Sequence, residues 1–183
     1  MTLDGICDHT AIVPDEEIHQ HYTDLINNAG AILYGRITYQ LMQFWQTLLK
    51  NPSGEKSMDD FAVAIDKVPK IVFSHTLKST GWDNAKLSDQ SLEKSSFKTQ
   101  TRAKPREQRH FSWKPEFILQ LLKLNLIDEF QLCVHPVIAG SGLPLFENVN
   151  DRTIFKLLKT KTFTGGAVTH YYEPIKITGG EIR

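Results

Sequence analysis

The sequence has few of the features that mark specialised classes of protein. Its 183 residues include only two cysteines, Cys7 and Cys133, which match neither a metal-site spacing nor a disulfide framework. No metal centre is therefore expected, and a reducing cytoplasm is the expected compartment. The chain also lacks an apolar run long enough to cross a membrane, and its N-terminus lacks the pattern of a signal peptide.

The chain also lacks an excess of either charge. It has 21 Lys and Arg residues and 21 Asp and Glu residues, so its formal net charge is zero. A neutral chain gives no electrostatic reason to expect nucleic acid or an anionic membrane as a partner. Hydrophobic residues make up 40% of the sequence, an ordinary fraction for a globular protein, and the length fits one domain spanning residues 1–183.

Apolar periodicity predicts an alternation of helices and short strands. Helices are expected over 16–28, after Gly35 as far as Phe44, and over 117–124. The predicted strands are 31–34, 70–73, 85–87 and 130–137, with a closing hairpin of 159–163 and 167–172. The remaining segments are a loop at 51–58, a short segment at 61–68, a short helix or turn at 151–157 and a frayed tail at 175–183.

The stretch from Asn125 to Glu147 organises this pattern. Its apolar run from Phe130 to Val137 is typical of a central strand buried on both faces. The run breaks at Gly140-Ser141-Gly142, and an open α/β sheet commonly places a ligand crevice at such a carboxyl end. An ordinary core strand followed by a glycine turn explains the stretch equally well.

Two further strand ends carry candidate binding residues. Gly35 and Arg36 lie between a strand and a helix, where free backbone N–H groups and a guanidinium favour an anion, although a single glycine before a helix is weak evidence. Ser74-His75-Thr76-Leu77 follows the strand 70–73, and its hydroxyls suit ribose or phosphate. A hydroxyl-capped turn is at least as common there, and His75 fits a surface residue better than a catalytic base.

The segment from Ser95 to Lys114 departs from this pattern, because it is basic and nearly free of aliphatic residues. A basic surface loop is one explanation, and Phe111 and Trp113 among the charges leave a nucleic-acid patch as another. A structureless insert of about 20 residues is uncommon inside a compact domain.

Taken in order, these pieces resemble the dihydrofolate reductase-like superfamily, and within it the stand-alone relatives of the reductase domain of bacterial riboflavin biosynthesis. That domain is the C-terminal part of the bifunctional deaminase-reductase. The resemblance rests on five segments that cover most of the chain: Thr2 to Gly5, Leu33 to Tyr39 with Phe44-Trp45, Lys70 to Leu77 with Trp82-Asp83, Leu126 to Phe146, and the closing hairpin from Lys161.

The resemblance implies a three-layer α/β fold, with a mostly parallel mixed sheet flanked by helices and a C-terminal antiparallel hairpin. It implies an NADPH-dependent reductase acting on a small molecule, as a homodimer, with no nucleic-acid or membrane partner. By analogy, the cofactor phosphates and the adenosine side would be held by Gly35, Arg36, Thr38, Ser74, His75, Thr76 and Leu77. Asp4 would face the substrate and help to supply a proton, and Gly140, Ser141 and Gly142 would edge the substrate pocket.

The chain departs from the family's pattern at two places. The family has a full strand before the Leu3-Asp4-Gly5 motif, and Met1 stands where that strand would end. The family also has a strand and a glycine turn before the helix at Phe117, where this chain has the basic segment. Made as written, the protein is expected to bind NADPH weakly or not at all. It would then be a non-catalytic remnant acting as a dimeric binding protein.

A reading-frame slip would explain the second departure. With suitable synonymous codons, Lys104 to Phe117 read one base out of frame gives Asn-Pro-Gly-Asn-Lys-Asp-Ile-Leu-Val-Gly-Ser-Pro-Ser, which restores a glycine turn, a strand and a Gly-Ser pair. We hypothesise two compensating slips, near residues 93–95 and 117–118, in the gene or its record. Sequencing the coding DNA tests this hypothesis, and codons incompatible with the shifted frame would disprove it.

Overall fold

A computed structural model describes residues 1–88, 92, 115–147, 149 and 152–175. The chain forms two compact units. The parallel-sheet unit is Pro14–Ile118, and the antiparallel-sheet unit combines Met1–Val13 with Leu119–Arg183. The anomalous segment 95–114 and the end of the tail, 176–183, lie outside the described residues. In the described part of the chain, no helix has the length and apolarity needed to cross a membrane.

Among the residues that the structure describes, three parallel strands form the sheet of the parallel-sheet unit. They are β1, Ile32–Gly35; β2, Lys70–Phe73; and β3, Ala85–Leu87, with β2 in the middle. Because β1 and β2 pair with Gly35 opposite Phe73, the two strands end at the same level. The predicted strands in this part of the chain are confirmed.

The helices of this unit are α1, Glu16–Asn27; α2, Arg36–Met42; α3, Phe44–Lys50; and α4, Lys56–Lys67. The prediction of α1 is confirmed. Its start is fixed by Asp15, whose side chain accepts a hydrogen bond from the backbone N–H of Ile18 at 2.8 Å. Next comes α5, Pro115–Lys123, whose residues belong to both units.

Two helices differ from the predictions. The helix expected after Gly35 is present as α2 but ends at Met42, and the separate helix α3, which follows Gln43, was not predicted. The predicted loop 51–58 and short segment 61–68 meet in one helix of 12 residues, α4. Asp59 helps this helix to begin, because its carboxylate accepts hydrogen bonds from the backbone N–H and the hydroxyl of Ser53, each at 2.8 Å.

The core of the parallel-sheet unit lies between its sheet and the apolar faces of α1 and α4. Side chains with almost no exposed surface include Tyr34, Tyr39, Ile65 and Val72. Burying each large apolar side chain stabilises the fold by about 1.5–3 kcal/mol. The sheet therefore presents a rigid base from which its carboxyl-end loops project.

The antiparallel-sheet unit contains β4, Phe130–Val134; β5, Phe155–Thr162; and β6, Val168–Pro174. Strands β5 and β6 form the predicted closing hairpin, which is confirmed. Its first strand is longer than expected, because β5 begins inside the segment predicted as a helix or turn at 151–157. The α/β class, with a parallel sheet, an antiparallel hairpin and helices, is confirmed.

The prediction that 130–137 is a central strand buried on both faces is wrong. Strand β4 ends at Val134 and is an outer strand among the three described strands of this sheet, although the backbone of Met1 also pairs with Cys133 and His135. After Phe130, the residues of β4 are only partly buried. An apolar run as short as this one does not reveal how many neighbours a strand has, because pairing partners come from distant parts of the chain.

Candidate functional site

The antiparallel-sheet unit holds Asp4 in a network of hydrogen bonds. Its carboxylate accepts from the hydroxyl of Thr2 at 2.5 Å, and from the backbone N–H groups of Ala139 at 3.2 Å and Gly140 at 2.7 Å. The structure therefore brings Asp4 together with Gly140, two predicted substrate-site residues separated by more than 130 positions in the chain. Nothing in the local sequence at either position requires this meeting.

The N-terminal segment and the loop after β4 are paired along most of their length. Leu3 donates a backbone hydrogen bond to Val137 at 2.8 Å, and Cys7 donates to Leu143 at 2.7 Å. Leu145 donates to Gly5 at 2.9 Å, and Ile6 forms a β-bridge with Pro144. These contacts fix the backbone on both sides of Asp4.

Packing and backbone conformation explain Gly142. Its φ is +140°, and a Cβ placed there would lie 2.5 Å from Cγ2 of Ile6. Gly140 has a φ of +75° but open space where a side chain would be. Ser141 between them is exposed. The glycines thus allow the loop to close over Ile6 and to turn an N–H group toward Asp4.

The hydrogen bonds set the charge of Asp4. Those from Thr2, Gly140 and Ala139 stabilise the ionised form and lower the pKa of Asp4 to about 2. At neutral pH, Asp4 is consequently a carboxylate with no proton to give. It can act as a hydrogen-bond acceptor or hold a water molecule.

The parallel-sheet unit brings the predicted cofactor residues to one edge. Because Gly35 and Phe73 are paired, Arg36 and Ser74 follow neighbouring strands at their carboxyl ends. Gly35 has a φ of −76°, which any residue adopts, and a Cβ there would make ordinary contact with Phe117 at 3.9 Å. Glycine at this position is thus not required by the backbone of the described structure.

Arg36 and Thr38 differ in exposure. Arg36 is exposed and donates a hydrogen bond to Gln40 at 3.0 Å, so its guanidinium is free to turn toward a ligand. Thr38 is 1% exposed, and its hydroxyl has no hydrogen-bond partner. Helix α2 has seven residues, so its dipole adds little, and no side chain caps its N-terminus.

Ser74 forms the hydroxyl-capped turn that was the alternative to a ligand contact. Its Oγ accepts hydrogen bonds from the backbone N–H groups of Thr76 at 3.2 Å and Leu77 at 2.9 Å. Leu77 packs against the core, while His75 and Thr76 are exposed. The hydroxyl hydrogen of Ser74 is not used in these bonds, so it remains available to donate.

Several residues near these edges were missed at the level of sequence. Phe117 is buried against Gly35, and its ring lies 5.5 Å from that of Phe73. Ser88 follows β3, as Ser74 follows β2, so its position directly after a predicted strand could have identified it as a candidate binding residue. Thr2 lies two residues before Asp4, so its hydroxyl could have been identified as a hydrogen-bond donor to that carboxylate. Among the described residues, no cluster of three or more His, Cys, Asp or Glu side chains is placed to hold a metal ion.

The chain is similar in sequence, over most of its length, to a protein of Bacillus subtilis. The Bacillus subtilis (strain 168) protein YyaP, whose own function is uncharacterised, is 30% identical over 151 residues, which are 82% of this chain and 77% of YyaP. No model of a known protein family matches the chain.

Solved structures that are similar to this chain include the following three. A riboflavin biosynthesis protein from Shewanella sp. PV-4 superposes with a TM-score of 0.66 at 17% identity, over 96% of each chain. A pyrimidine reductase-like protein from Corynebacterium diphtheriae gives 0.62 at 15% identity, over 97% of this chain and 90% of its own. The Thermotoga maritima diaminohydroxyphosphoribosylaminopyrimidine deaminase/5-amino-6-(5-phosphoribosylamino)uracil reductase gives 0.59 at 16% identity, over 95% of this chain and 54% of its own. At these identities the likeness shows the fold, which is that of the riboflavin-biosynthesis reductases.

Proposed function

Because this chain belongs to the same family as YyaP and has the fold of the riboflavin-biosynthesis reductases, we propose that it is an NADPH-dependent reductase. Its substrate would be a heterocycle or a ribityl-pyrimidine that accepts a hydride. The observation that carries the proposal is the shared edge of β1 and β2, where Arg36 and Ser74 to Leu77 follow paired strand ends. The carboxyl edge of a parallel sheet is where α/β proteins bind ligands.

The residues at this edge fit an anionic cofactor. Arg36 offers an exposed guanidinium, and the first N–H groups of α2 have no side-chain cap. Thr76 adds an exposed hydroxyl, and Ser74 keeps its hydrogen free. The hydroxyl of Thr38 has no hydrogen-bond partner but is buried, so it could contact a phosphate only after a rearrangement. NADPH, when bound, would supply the hydride.

On the substrate side, Asp4 supplies fixed negative charge. Its ionised carboxylate already accepts three hydrogen bonds from the protein and has room for one more donor. An N–H group of an aminopyrimidine or a pterin would fit that acceptor. In this proposal, Asp4 positions the substrate and the 139–142 loop, and the proton comes from water.

Calorimetric titration tests the cofactor assignment. If the protein is the proposed reductase, it should bind NADPH with a dissociation constant in the micromolar range, on the order of −8 kcal/mol, whereas the sequence as written predicts weak or absent binding. Arg36→Gln is expected to weaken binding by about tenfold, because it removes a charged guanidinium that can form two parallel hydrogen bonds with a phosphate. Lys50→Gln, an exposed lysine in the last turn of α3, changes the net charge equally and is expected to leave binding within about twofold.

The same titration separates the proposal from its alternative. No saturable binding of NADPH would indicate the non-catalytic remnant that the segment 95–114 predicts. If NADPH binds, its oxidation should be followed with a pterin and with an aminopyrimidine carrying a ribityl chain. Binding without oxidation of NADPH on either substrate would leave the cofactor site standing and overturn the proposed substrate class.

We further propose that the protein is a homodimer. The support is on β5, which lies at the side of its sheet and exposes Leu157 and Leu158 beside a register shift. An edge strand with protruding leucines is a surface that proteins usually cover. A second copy of the chain is the occupant that the reductase proposal implies.

A further inference from the structure

A thiol and an imidazole lie together on one face of the antiparallel sheet, and neither belongs to the residues assigned above. Cys133 is on β4 and His135 follows the end of that strand, so alternation places their side chains on the same side. Sγ of Cys133 is 3.6 Å from Nε2 of His135, within hydrogen-bond distance for sulfur. Cys133 is partly exposed, whereas His135 is 6% exposed.

A buried hydroxyl lies beside this pair. Thr169 on β6 is the cross-strand partner of Cys133, so its side chain is on the same face, about 5 Å away between Cβ atoms. Thr169 has no exposed surface, and its Oγ1 has no hydrogen-bond partner. Buried hydroxyls are nearly always paired, so this one has a hydrogen to donate to a group arriving at the sulfur.

We propose that Cys133 is a reactive thiol that exchanges with small disulfides, with His135 as the base and Thr169 as a hydrogen-bond donor to the group that arrives at the sulfur. The proton of the Cys133 thiol passes to Nε2 of His135, and the thiolate attacks one sulfur of a disulfide R–S–S–R. A bond forms between Sγ and that sulfur while the original S–S bond breaks. The leaving thiolate takes up a proton, so the products are a mixed disulfide at Cys133 and one free thiol.

The reaction stops at the mixed disulfide, because Cys7 is too far away to resolve it. The N-terminal ammonium group of Met1 donates a hydrogen bond to the backbone oxygen of Cys133 at 2.7 Å. The backbone N–H of the next residue, Thr2, donates to the backbone oxygen of Ile6, the residue before Cys7, at 3.0 Å. The N-terminal residues thus lie between the two cysteines, which are separated by two strand spacings, or roughly 10 Å. A disulfide requires Cα atoms within about 7 Å.

Cys7 serves as the internal control. It is also partly exposed, but its backbone N–H is paired with Leu143, and burial raises the pKa of its thiol. Reaction of the full chain with dithiodipyridine, a small aromatic disulfide, should label Cys133 about tenfold faster than Cys7. Peptide mapping by mass spectrometry assigns each rate to its cysteine, and Cys133→Ser should leave only the slow reaction.

Two variants test the assigned roles. His135→Gln should slow labelling of Cys133 by about tenfold, and Thr169→Val should slow it by about threefold. Thr169→Val is isosteric and removes an unpaired hydroxyl, so it is expected to fold with unchanged or greater stability, and it decides the matter if His135→Gln does not fold. Equal rates for the two cysteines, labelling of Cys133 only in denaturant, or wild-type rates in a folded Thr169→Val variant would overturn the proposal.

Discussion

At the scale of single residues, Asp4 shows how the backbone of one segment sets the charge of another. Two of the donors to its carboxylate are N–H groups of Ala139 and Gly140, and the third is the hydroxyl of Thr2. These bonds favour the ionised form, which is why the pKa of an exposed aspartate falls to about 2. Their strength should appear in the acid stability of the protein.

The pKa of Asp4 is lower in the folded protein than the usual value of 3.8, so its contribution to stability is present above about pH 4 and disappears as the pH falls toward 2. Asp4→Asn lacks this contribution at every pH. The difference in free energy of unfolding between wild type and Asp4→Asn, measured with urea, should therefore decrease steadily as the pH falls from about 5 to about 2. A difference that stays constant over this range would contradict the assigned hydrogen bonds.

Gly142 carries a second prediction for a single residue. Gly142→Ala combines an unfavourable φ with a contact of 2.5 Å to Cγ2 of Ile6, so it should lower the free energy of unfolding by about 3 kcal/mol. Gly54 has a φ of +84°, and a Cβ placed there would have no atom within 4 Å. Gly54→Ala should therefore lower the free energy of unfolding by only about 1 kcal/mol.

Ile6→Leu separates the clash at Gly142 from the backbone strain, because leucine has no Cγ2 branch at Cβ. In a double-mutant cycle measured by urea unfolding, Ile6→Leu should recover part of the loss caused by Gly142→Ala. Additive losses would show that backbone strain alone accounts for the effect.

At the scale of elements, the C-terminus of α4 is held by residues beyond the helix. The ammonium of Lys70 on β2 is buried and donates to the backbone oxygens of Asp66 at 3.1 Å and Val68 at 3.0 Å. Asn84 donates to the oxygens of Asp66 and Lys67. These bonds pair carbonyl groups that a helix leaves free at its end, and they tie α4 to the sheet.

Burial lowers the pKa of Lys70 to about 8 from its usual 10.5, even though Asp66 opposes the shift. The unfolded chain therefore binds more protons than the folded one between these values, and stability should rise with pH from about 8 to 10.5. The rise is at most on the order of 3 kcal/mol. Lys70→Met should abolish it in urea unfolding, and Lys67→Met, an exposed residue at the end of α4, should retain it.

The sequence indicated elements well where local signals agree. Helix α1 has both a capping aspartate and an apolar face, and both predict the same start. Helix α4 was not predicted because residues 51–58 are polar, as loops usually are, and the bonds between Ser53 and Asp59 that start the helix join residues six positions apart. Strand β4 was misplaced for a similar reason, since its neighbours β6 and Met1 come from the two ends of the chain.

At the scale of the whole molecule, the proposed dimer gives a measurable mass. Analytical ultracentrifugation should find twice the 20.9 kDa of one chain. Leu158→Lys places a charge on the exposed part of β5 and should shift the protein toward a single chain. Val63→Lys, at a 41% exposed position on α4, is the matched control and should leave the mass unchanged. A wild-type mass of 20.9 kDa would end the dimer proposal.

The sequence by itself determined the order of the short strands, the amphipathic helix α1 and the closing hairpin, because each depends on neighbouring residues. It also identified Asp4, Gly35, Ser74 and Gly140 as residues at chain turns. Only the tertiary structure decided which of them meet. In the folded protein, the N–H of Gly140 donates to Asp4, and β1 and β2 end at the same level. Thr38 is buried, and the hydroxyl oxygen of Ser74 accepts hydrogen bonds within a turn. Such contacts depend on distant segments whose pairing no local pattern records, and they set the charge and exposure on which the proposed chemistry depends.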